Sequence, residues 1–395
     1  MQHTEYDVII LGAGASGLSA AAVASARGRR VLVLDHAARP AIKVLLAGGG
    51  KANFTNRNMG EGYYHSANPQ FVLSALQRFS PEDAIEWVRE AGIAIEEREH
   101  GQMFCARSAK DLCRLLMDSC QNCTVSLNET IGKVGKSGEL FSVATKTDTY
   151  TAPSLVIALG SKASPQSGAT GLGVQLARQF GHRILEPQPA LVGLVMSPDW
   201  RLAGMEGISL PACIGIPKGK NPLSFTLPLL FTHAGISGPA VLQISLYWQP
   251  GEQLLCNFLP EHNLEDLFAA PENGKLLLKN LLKRVLPERL ALRFCDIVGY
   301  ECADTKVAEL PRAIKIPLQK HVHNAILIPA GYEGFAKAEV TSGGVSTDQI
   351  QSKTMESNLV PGLFFCGEVM DVTGRVGGYN LHWAFASGRA AGDWA

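Results

Sequence analysis

Six residues near the start of the chain, Gly12-Ala-Gly14-Ala-Ser-Gly17, have the types and spacing that hold a diphosphate. Gly12 permits a sharp turn, Gly14 lets backbone approach an anion, and Gly17 lets the following helix pack close to a strand. Ala15 and Ser16 open that helix, whose first N–H groups lack intrahelical partners and carry partial positive charge. Asp35 follows about twenty residues on, where an acid accepts hydrogen bonds from an adenosine ribose and repels a 2′-phosphate. His36 stands beside it.

The elements around these residues support that chemistry. Residues 7–11 form a short β-branched run suited to a buried parallel strand. Residues 16–27 are alanine-rich and helical, with Gly28 where a C-terminal cap belongs. Residues 31–34 give the second strand of a β-α-β unit. Three further segments end in glycine: Gly48-Gly49-Gly50-Lys51-Ala52-Asn53, Ala158-Leu159-Gly160, and Cys366-Gly367-Glu368 followed by Gly377-Gly378-Tyr379-Asn380. Strands that end this way bring backbone to a ligand at the carboxyl edge of the sheet. A helix opening after Gly378 presents its positive end to the electron-rich part of such a ligand. Spread over both ends of the chain, these segments point to an extended flavin dinucleotide, FAD, rather than NAD alone.

Between these landmarks, residues 69–92 read as two helices and 108–120 as a third. Residues 124–149 alternate like a small antiparallel region. Residues 154–160 return to buried strand, and 171–180 to helix. From residue 191 short apolar alternations broken by Pro and Gly predict antiparallel strands to about 260. Residues 263–310 are leucine- and charge-rich and helical.

The 395 residues are 46% hydrophobic, enough for a sizeable core. The 36 basic and 36 acidic side chains cancel, which disfavours nucleic acid as a partner, since phosphate binding needs concentrated positive charge. No apolar run reaches the roughly 20 residues of a membrane helix, so no membrane partner is expected. No export leader is read before the first strand, so a cytoplasmic protein with its nine cysteines as reduced thiols is expected.

Taken together, the motifs make the chain similar to the BaiN/YhiN-like NAD(P)/FAD-dependent oxidoreductases. The matching stretches are Lys43 to Gly50 with Asn53-Phe-Thr-Asn56, Gly101-Gln-Met-Phe104, Phe231 to Pro239, Val340 to Val345, Gly362 to Glu368, and Asp371 through Leu381. The resemblance implies a Rossmann-like α/β FAD-binding domain, split into residues 1–190 and 335–395. It implies an inserted domain at 191–334, with a β-barrel (191–260 and 312–334) carrying a helical subdomain (261–311). It implies that Gly12, Gly14, Gly17, Asp35, Lys51, Asn53, Gly160, Glu368, Asp371 and Gly378, Tyr379, Asn380 and Leu381 lie at or near FAD. Ala15, Ser16, His36, Lys43, Gly50, Ala158 and Gly367 complete the expected contact set. The family's best-known activity is reduction of a conjugated double bond in a 3-oxo bile-acid intermediate. Where the family has Arg-Cys-Asn after the triple glycine, this chain has Lys51-Ala52-Asn53, which removes any thiol role there.

The expected reaction is therefore hydride transfer from transiently bound NAD(P)H, through FAD, to a conjugated C=C bond or related small-molecule acceptor. The alternative is an FAD-binding redox sensor or binding module without turnover. An RNA-modifying flavoenzyme is a third reading, against which the neutral charge argues. His233, Tyr379 and His382 are the candidate proton donors, since imidazole and phenol can each supply a proton. Cys120-Gln-Asn-Cys123 lacks a second pair and reads as incidental. His321 and His323, read as one face of a strand, lack a third ligand, and no metal is expected.

Overall fold

Val8-Ile-Ile-Leu and Val31-Leu-Val-Leu are buried at every position. A strand covered on both faces belongs inside a parallel sheet, and that is where both lie. The computed structural model describes residues 3–218 and 222–395. It divides into two compact units, Met1–Pro189 with Glu339–Ala395, and Ala190–Ala338.

The first unit is built on a five-stranded sheet in the order Leu363–Phe365, Ser154–Ile157, Val8–Leu11, Val31–Leu34, Thr124–Ser126. All four pairings are parallel. From the central Val8–Leu11 the chain winds outward to Val31–Leu34 and Thr124–Ser126. It then returns to the other side through Ser154–Ile157 and Leu363–Phe365. The direction of winding thus reverses between Val8–Leu11 and Ser154–Ile157. The crevice outside the carboxyl ends of two such strands is the usual ligand position of an open α/β sheet. Gly12 and Ala158-Leu159-Gly160 follow directly on those two strands.

One expectation needs correction. Thr124–Ser126 is not part of the antiparallel region but the edge strand of the parallel sheet. The antiparallel region starts at Val134–Ser137 and continues through Leu140–Ala144 and Thr149–Ala152. Three residues are too few for their alternation to report parallel or antiparallel pairing.

The helix Ala15–Ala26 packs against the final helix, Tyr379–Gly392. Glycines set that contact. A Cβ on Gly388 would stand 2.3 Å from the Ser16 carbonyl oxygen, and one on Gly392 2.4 Å from that of Ala20. The last turns of the chain therefore lie on the helix that opens at the glycine turn. Cys120 and Cys123 direct their thiols to the Leu18 and Ala21 carbonyls of the same helix, at 3.3 and 3.4 Å, and so serve packing. Ser80 and Asp83 form the capping box that starts Pro81–Glu90.

The second unit holds a seven-stranded sheet whose antiparallel pairings run as a linear series from Ala325–Leu327 to Gly331–Tyr332. No pairing joins those two end strands among the described residues. Its helices include Leu278–Lys283 and Glu288–Val298. Residues 312–323, expected within the barrel, are instead the helix Arg312–His323. Leu318 and Val322 are its buried positions, four residues apart as a helix face requires. His321 and His323 therefore do not share a strand face. His323 pairs through Nδ1 with the Asn257 side-chain oxygen at 3.0 Å, and its Nε2 accepts the Leu264 N–H at 3.1 Å. It thereby satisfies the start of the helix Leu264–Ala269.

Candidate cofactor site

The glycine turn is shaped by three different constraints. Gly12 has φ of +108°, and a Cβ there would meet the Ala158 carbonyl oxygen at 2.5 Å. A Cβ on Gly17 would lie 1.9 Å from the Gly12 carbonyl oxygen. Gly14 is different, because a Cβ there would meet no protein atom within 4 Å. Gly12 and Gly17 are thus glycine for the fold, while the space beside Gly14 is open. Asp35 closes the turn: its Oδ2 accepts the Ala13 N–H at 2.6 Å and its Oδ1 the Ala37 N–H at 2.8 Å. A carboxylate has about four acceptor positions, so capacity for two hydroxyls remains. His36 lies with Nδ1 3.5 Å from Asp35 Oδ1.

The triple glycine is a run of left-handed backbone, with φ of +57°, +65° and +84° at Gly48, Gly49 and Gly50. Consecutive left-handed residues are open to glycine and almost nothing else. Ala52 is also left-handed, with φ of +48°, and is fully buried. Its methyl is a core group. Lys51 turns instead to Glu96, at 2.9 Å. Glu96 also accepts from Arg98, and these two hydrogen bonds hold its carboxyl at about 2, well below the usual range.

Asn53 joins this segment to the end of the chain. Its side-chain oxygen accepts the Gly378 N–H at 3.2 Å and its nitrogen donates to the Thr55 carbonyl at 3.2 Å. Gly378, with φ of +98°, is the N-cap of the final helix. Asn380 in the first turn grips Gly374, accepting from its N–H and donating to its carbonyl, both at 2.8 Å. Leu381 completes that turn. Next to it Tyr379 stacks on Tyr63 with ring centroids 4.9 Å apart.

A second cluster ties four segments together. Glu368 Oε2 pairs with Lys43 Nζ at 2.5 Å. Its Oε1 accepts from Ser161 Oγ at 2.7 Å and from the Thr341 N–H at 2.9 Å. Ser161 and Thr341 were not among the expected site residues. The signals for both were present, since Ser161 directly follows Gly160 and Thr341 lies in the stretch Val340 to Val345. Gly367 accompanies them; its N–H donates to Ser387 Oγ at 2.9 Å, and a Cβ there would meet Ser16 Oγ at 2.5 Å. Asp371 is 3% exposed and accepts the Ala67 N–H at 2.8 Å. Burial raises its carboxyl pKa, against that hydrogen bond and the nearby His65.

The three candidate proton donors have different surroundings. His382 is fully buried, with Nδ1 2.8 Å from Thr55 Oγ1 and Nε2 2.9 Å from the Phe79 carbonyl oxygen. The carbonyl can only accept, so Nε2 carries the proton and Nδ1 accepts from the threonine. Both nitrogens are engaged, and burial lowers the pKa to about 4. His382 is therefore a neutral structural histidine rather than a proton donor near neutrality. Its unfolded pKa is near 6.5, so between about 6.5 and 4 the unfolded chain binds more protons. Stability is expected to fall on the order of 2–3 kcal/mol as pH drops through that window. Urea melts at pH 7 and pH 5 would show the loss, and His382→Asn would flatten it. Tyr379 is 4% exposed, and burial raises its phenol well above the usual range. His233 is exposed, in the turn between Leu223–Phe231 and Gly235–Ser237 of the second unit.

The features of the first unit are those an extended dinucleotide requires: an open anion-facing turn, an acid with spare acceptor capacity, and glycines at strand ends around one switch point. Like Gly14, Gly49 and Gly160 have no protein atom where a Cβ would stand. No group of three or more possible metal ligands occurs among the described residues, and no helix among them is long and apolar enough to cross a membrane.

The family described as HI0933-like protein Rossmann domain matches residues 6–394. The chain belongs to that family. The resemblance to BaiN/YhiN-like flavoproteins holds, and this HI0933-like protein is an FAD-dependent oxidoreductase. Ribosomal RNA dihydrouridine synthase of Escherichia coli strain K12 is 40% identical over 388 residues, covering 97% of this chain and 96% of that protein. The 3-dehydro-bile acid delta(4,6)-reductase of Clostridium scindens is 29% identical over 402 residues, covering 97% of each. Among solved structures, quinol fumarate reductase FrdA of E. coli shares the fold at a TM-score of 0.52 and 17% identity, covering 100% of this chain and 70% of that one. The first of these relatives stands against the exclusion of nucleic acid as a partner. That exclusion rested on a whole-chain sum, which is blind to local distribution. The helix Arg312–His323 alone carries Arg312, Lys315 and Lys320 with no acid.

Proposed function

We propose that this HI0933-like protein reduces the C5=C6 double bond of a uridine in ribosomal RNA to give dihydrouridine, with NAD(P)H as the electron donor. The observation that carries this reading is the 40% identity, across 97% of the chain, to an enzyme named for that product. It also absorbs the expected chemistry, because C5=C6 of uracil is conjugated to the C4 carbonyl and is an electron-poor alkene.

The balance is a conjugate addition. Hydride adds at C6, the π electrons shift toward the C4 oxygen, and a proton adds at C5. NAD(P)H leaves as NAD(P)⁺ and one proton is consumed. Bound FAD supplies the two-electron carriage between the nicotinamide and the alkene. The chain's own residues bind and orient. The turn Gly12 to Gly17 offers helix N–H groups to the diphosphate. Asp35 accepts from the adenosine ribose. Lys43, held by Glu368, and Asn53, bonded to the Gly378 N–H, would be further contacts of the cofactor. The first turn after Gly378 would offer its free N–H groups and positive helix end to the electron-rich part of the bound cofactor.

Anaerobic titration of the purified yellow protein with NADH and with NADPH tests the donor half. Bleaching within seconds by at least one nicotinamide is expected. A flavin that neither bleaches, although dithionite does, contradicts the reductase reading and favours a redox sensor.

A further inference from the structure

The second unit carries a cavity of about 300 Å³ outside the candidate cofactor site. Its walls come from the loop at Trp200 and Arg201, from Phe294 of Glu288–Val298, from Lys320 and His321 in the last turn of Arg312–His323, and from Asn324. The apolar walls are largely aliphatic, with one partly exposed aromatic ring, Trp200, which stacks on Phe231 with centroids 5.7 Å apart.

The polar walls are Arg201, Lys320, His321 and Asn324, and no carboxylate lines the cavity. Four lysines of this unit, Lys218, Lys279, Lys283 and Lys306, are each paired to an acid. Arg201 and Lys320 form no ion pair among the described residues. A basic group in the last turn of a helix complements the helix dipole, which accounts for Lys320 and His321. It does not account for Arg201, which comes from a separate loop. Burial and the charges of Arg201 and Lys320 together lower the His321 pKa, so the three groups share one space without a counter-ion.

We propose that this cavity takes one nucleotide of a single-stranded RNA, its base against Trp200 and the aliphatic wall and its phosphate on Arg201 and Lys320. The inference rests on the ribosomal RNA reading above. The chemistry selects the class. A flat base needs aromatic and apolar walls, its edge needs a group that both donates and accepts, as the Asn324 amide does, and a phosphodiester needs uncompensated cations. The cavity lies at the small end of ligand pockets, which suits a single nucleotide.

The test is fluorescence anisotropy of the full-length FAD-loaded protein with a short fluorescein-labelled oligouridylate across a salt series. Arg201→Ala with Lys320→Ala is expected to weaken binding about tenfold or more. It should also lower the salt slope by roughly 1 to 1.5, as two lost phosphate contacts require. Lys320→Glu alone, at an exposed position, covers the case in which the double variant melts early, and should also weaken binding. Excess NADPH should not displace the oligonucleotide. Unchanged RNA affinity in these variants, no RNA binding by the parent protein, or displacement by NADPH would each overturn the proposal. Dihydrouridine formation on ribosomal RNA is read separately by mass. A protein that makes dihydrouridine while Arg201 and Lys320 prove irrelevant refutes the cavity alone. One that binds RNA through them but makes none refutes the reaction alone.

Discussion

Gly14→Ala is expected to give a folded protein that does not retain FAD, and Gly17→Ala is expected not to fold. The two glycines are three residues apart in one turn, and only the surroundings of a Cβ tell them apart. At Gly17 the new carbon would stand 1.9 Å from the Gly12 carbonyl oxygen, a contact no side-chain adjustment can relieve. The helix would have to leave the strand it follows, at a cost above roughly 3 kcal/mol. At Gly14 the new carbon meets no protein atom within 4 Å, so melting should change by less than about 1 kcal/mol in the apoprotein. If the turn holds the diphosphate of FAD as proposed, the added methyl obstructs its approach, and visible flavin absorbance of the purified variant should be lost. A yellow Gly14→Ala protein of normal flavin content would remove the turn from the cofactor site.

The second large effect is expected at Glu368. Its carboxylate takes Lys43, Ser161 and the Thr341 N–H, drawing together segments far apart in sequence. Glu368→Ala leaves a lysine ammonium without its partner and a buried backbone N–H unsatisfied, a combined cost of about 3 kcal/mol. Flavin affinity should fall by one to two orders of magnitude. Glu368→Gln keeps an acceptor for Ser161 and Thr341 and loses only the charge facing Lys43, so it should recover most of the thermal stability. Flavin release on dilution, followed by fluorescence, separates the two variants. If Glu368→Ala held FAD as firmly as the parent, the cluster would be structural only.

How far the sequence foretells this site depends on how local each constraint is. The glycine turn and Asp35 were legible because strand, turn, helix and acid follow one another within 28 residues, from Val8 to Asp35. Asp35 and Ala13 meet through one hydrogen bond closed inside a single β-α-β unit. The Glu368 cluster was only half legible. Glu368 and Lys43 were expected at the site, but their direct pairing across 325 positions was not, nor was Ser161 or Thr341. His382 could be a proton donor or part of the flavin's wall by its type alone; its two hydrogen bonds, to Thr55 and Phe79, come from remote segments that no local spacing reports. Residues 312–323 were misread as part of a barrel; there the spacing of Leu318 and Val322 held the helical signal. The exclusion of nucleic acid, against which a relative named for ribosomal RNA stands, rested on a net charge of zero, which does not report how charges are distributed.

The central claim is that this FAD-dependent oxidoreductase reduces uridine in ribosomal RNA. Mass spectrometry of nuclease-digested ribosomal RNA from cells lacking the gene, and from cells restored with the parent or Gly14→Ala chain, tests it most directly. The account predicts a uridine two hydrogens heavier in the parent strain, absent on deletion, restored by the parent chain and not by Gly14→Ala. Identical dihydrouridine in all four RNAs, or none in any, would contradict it.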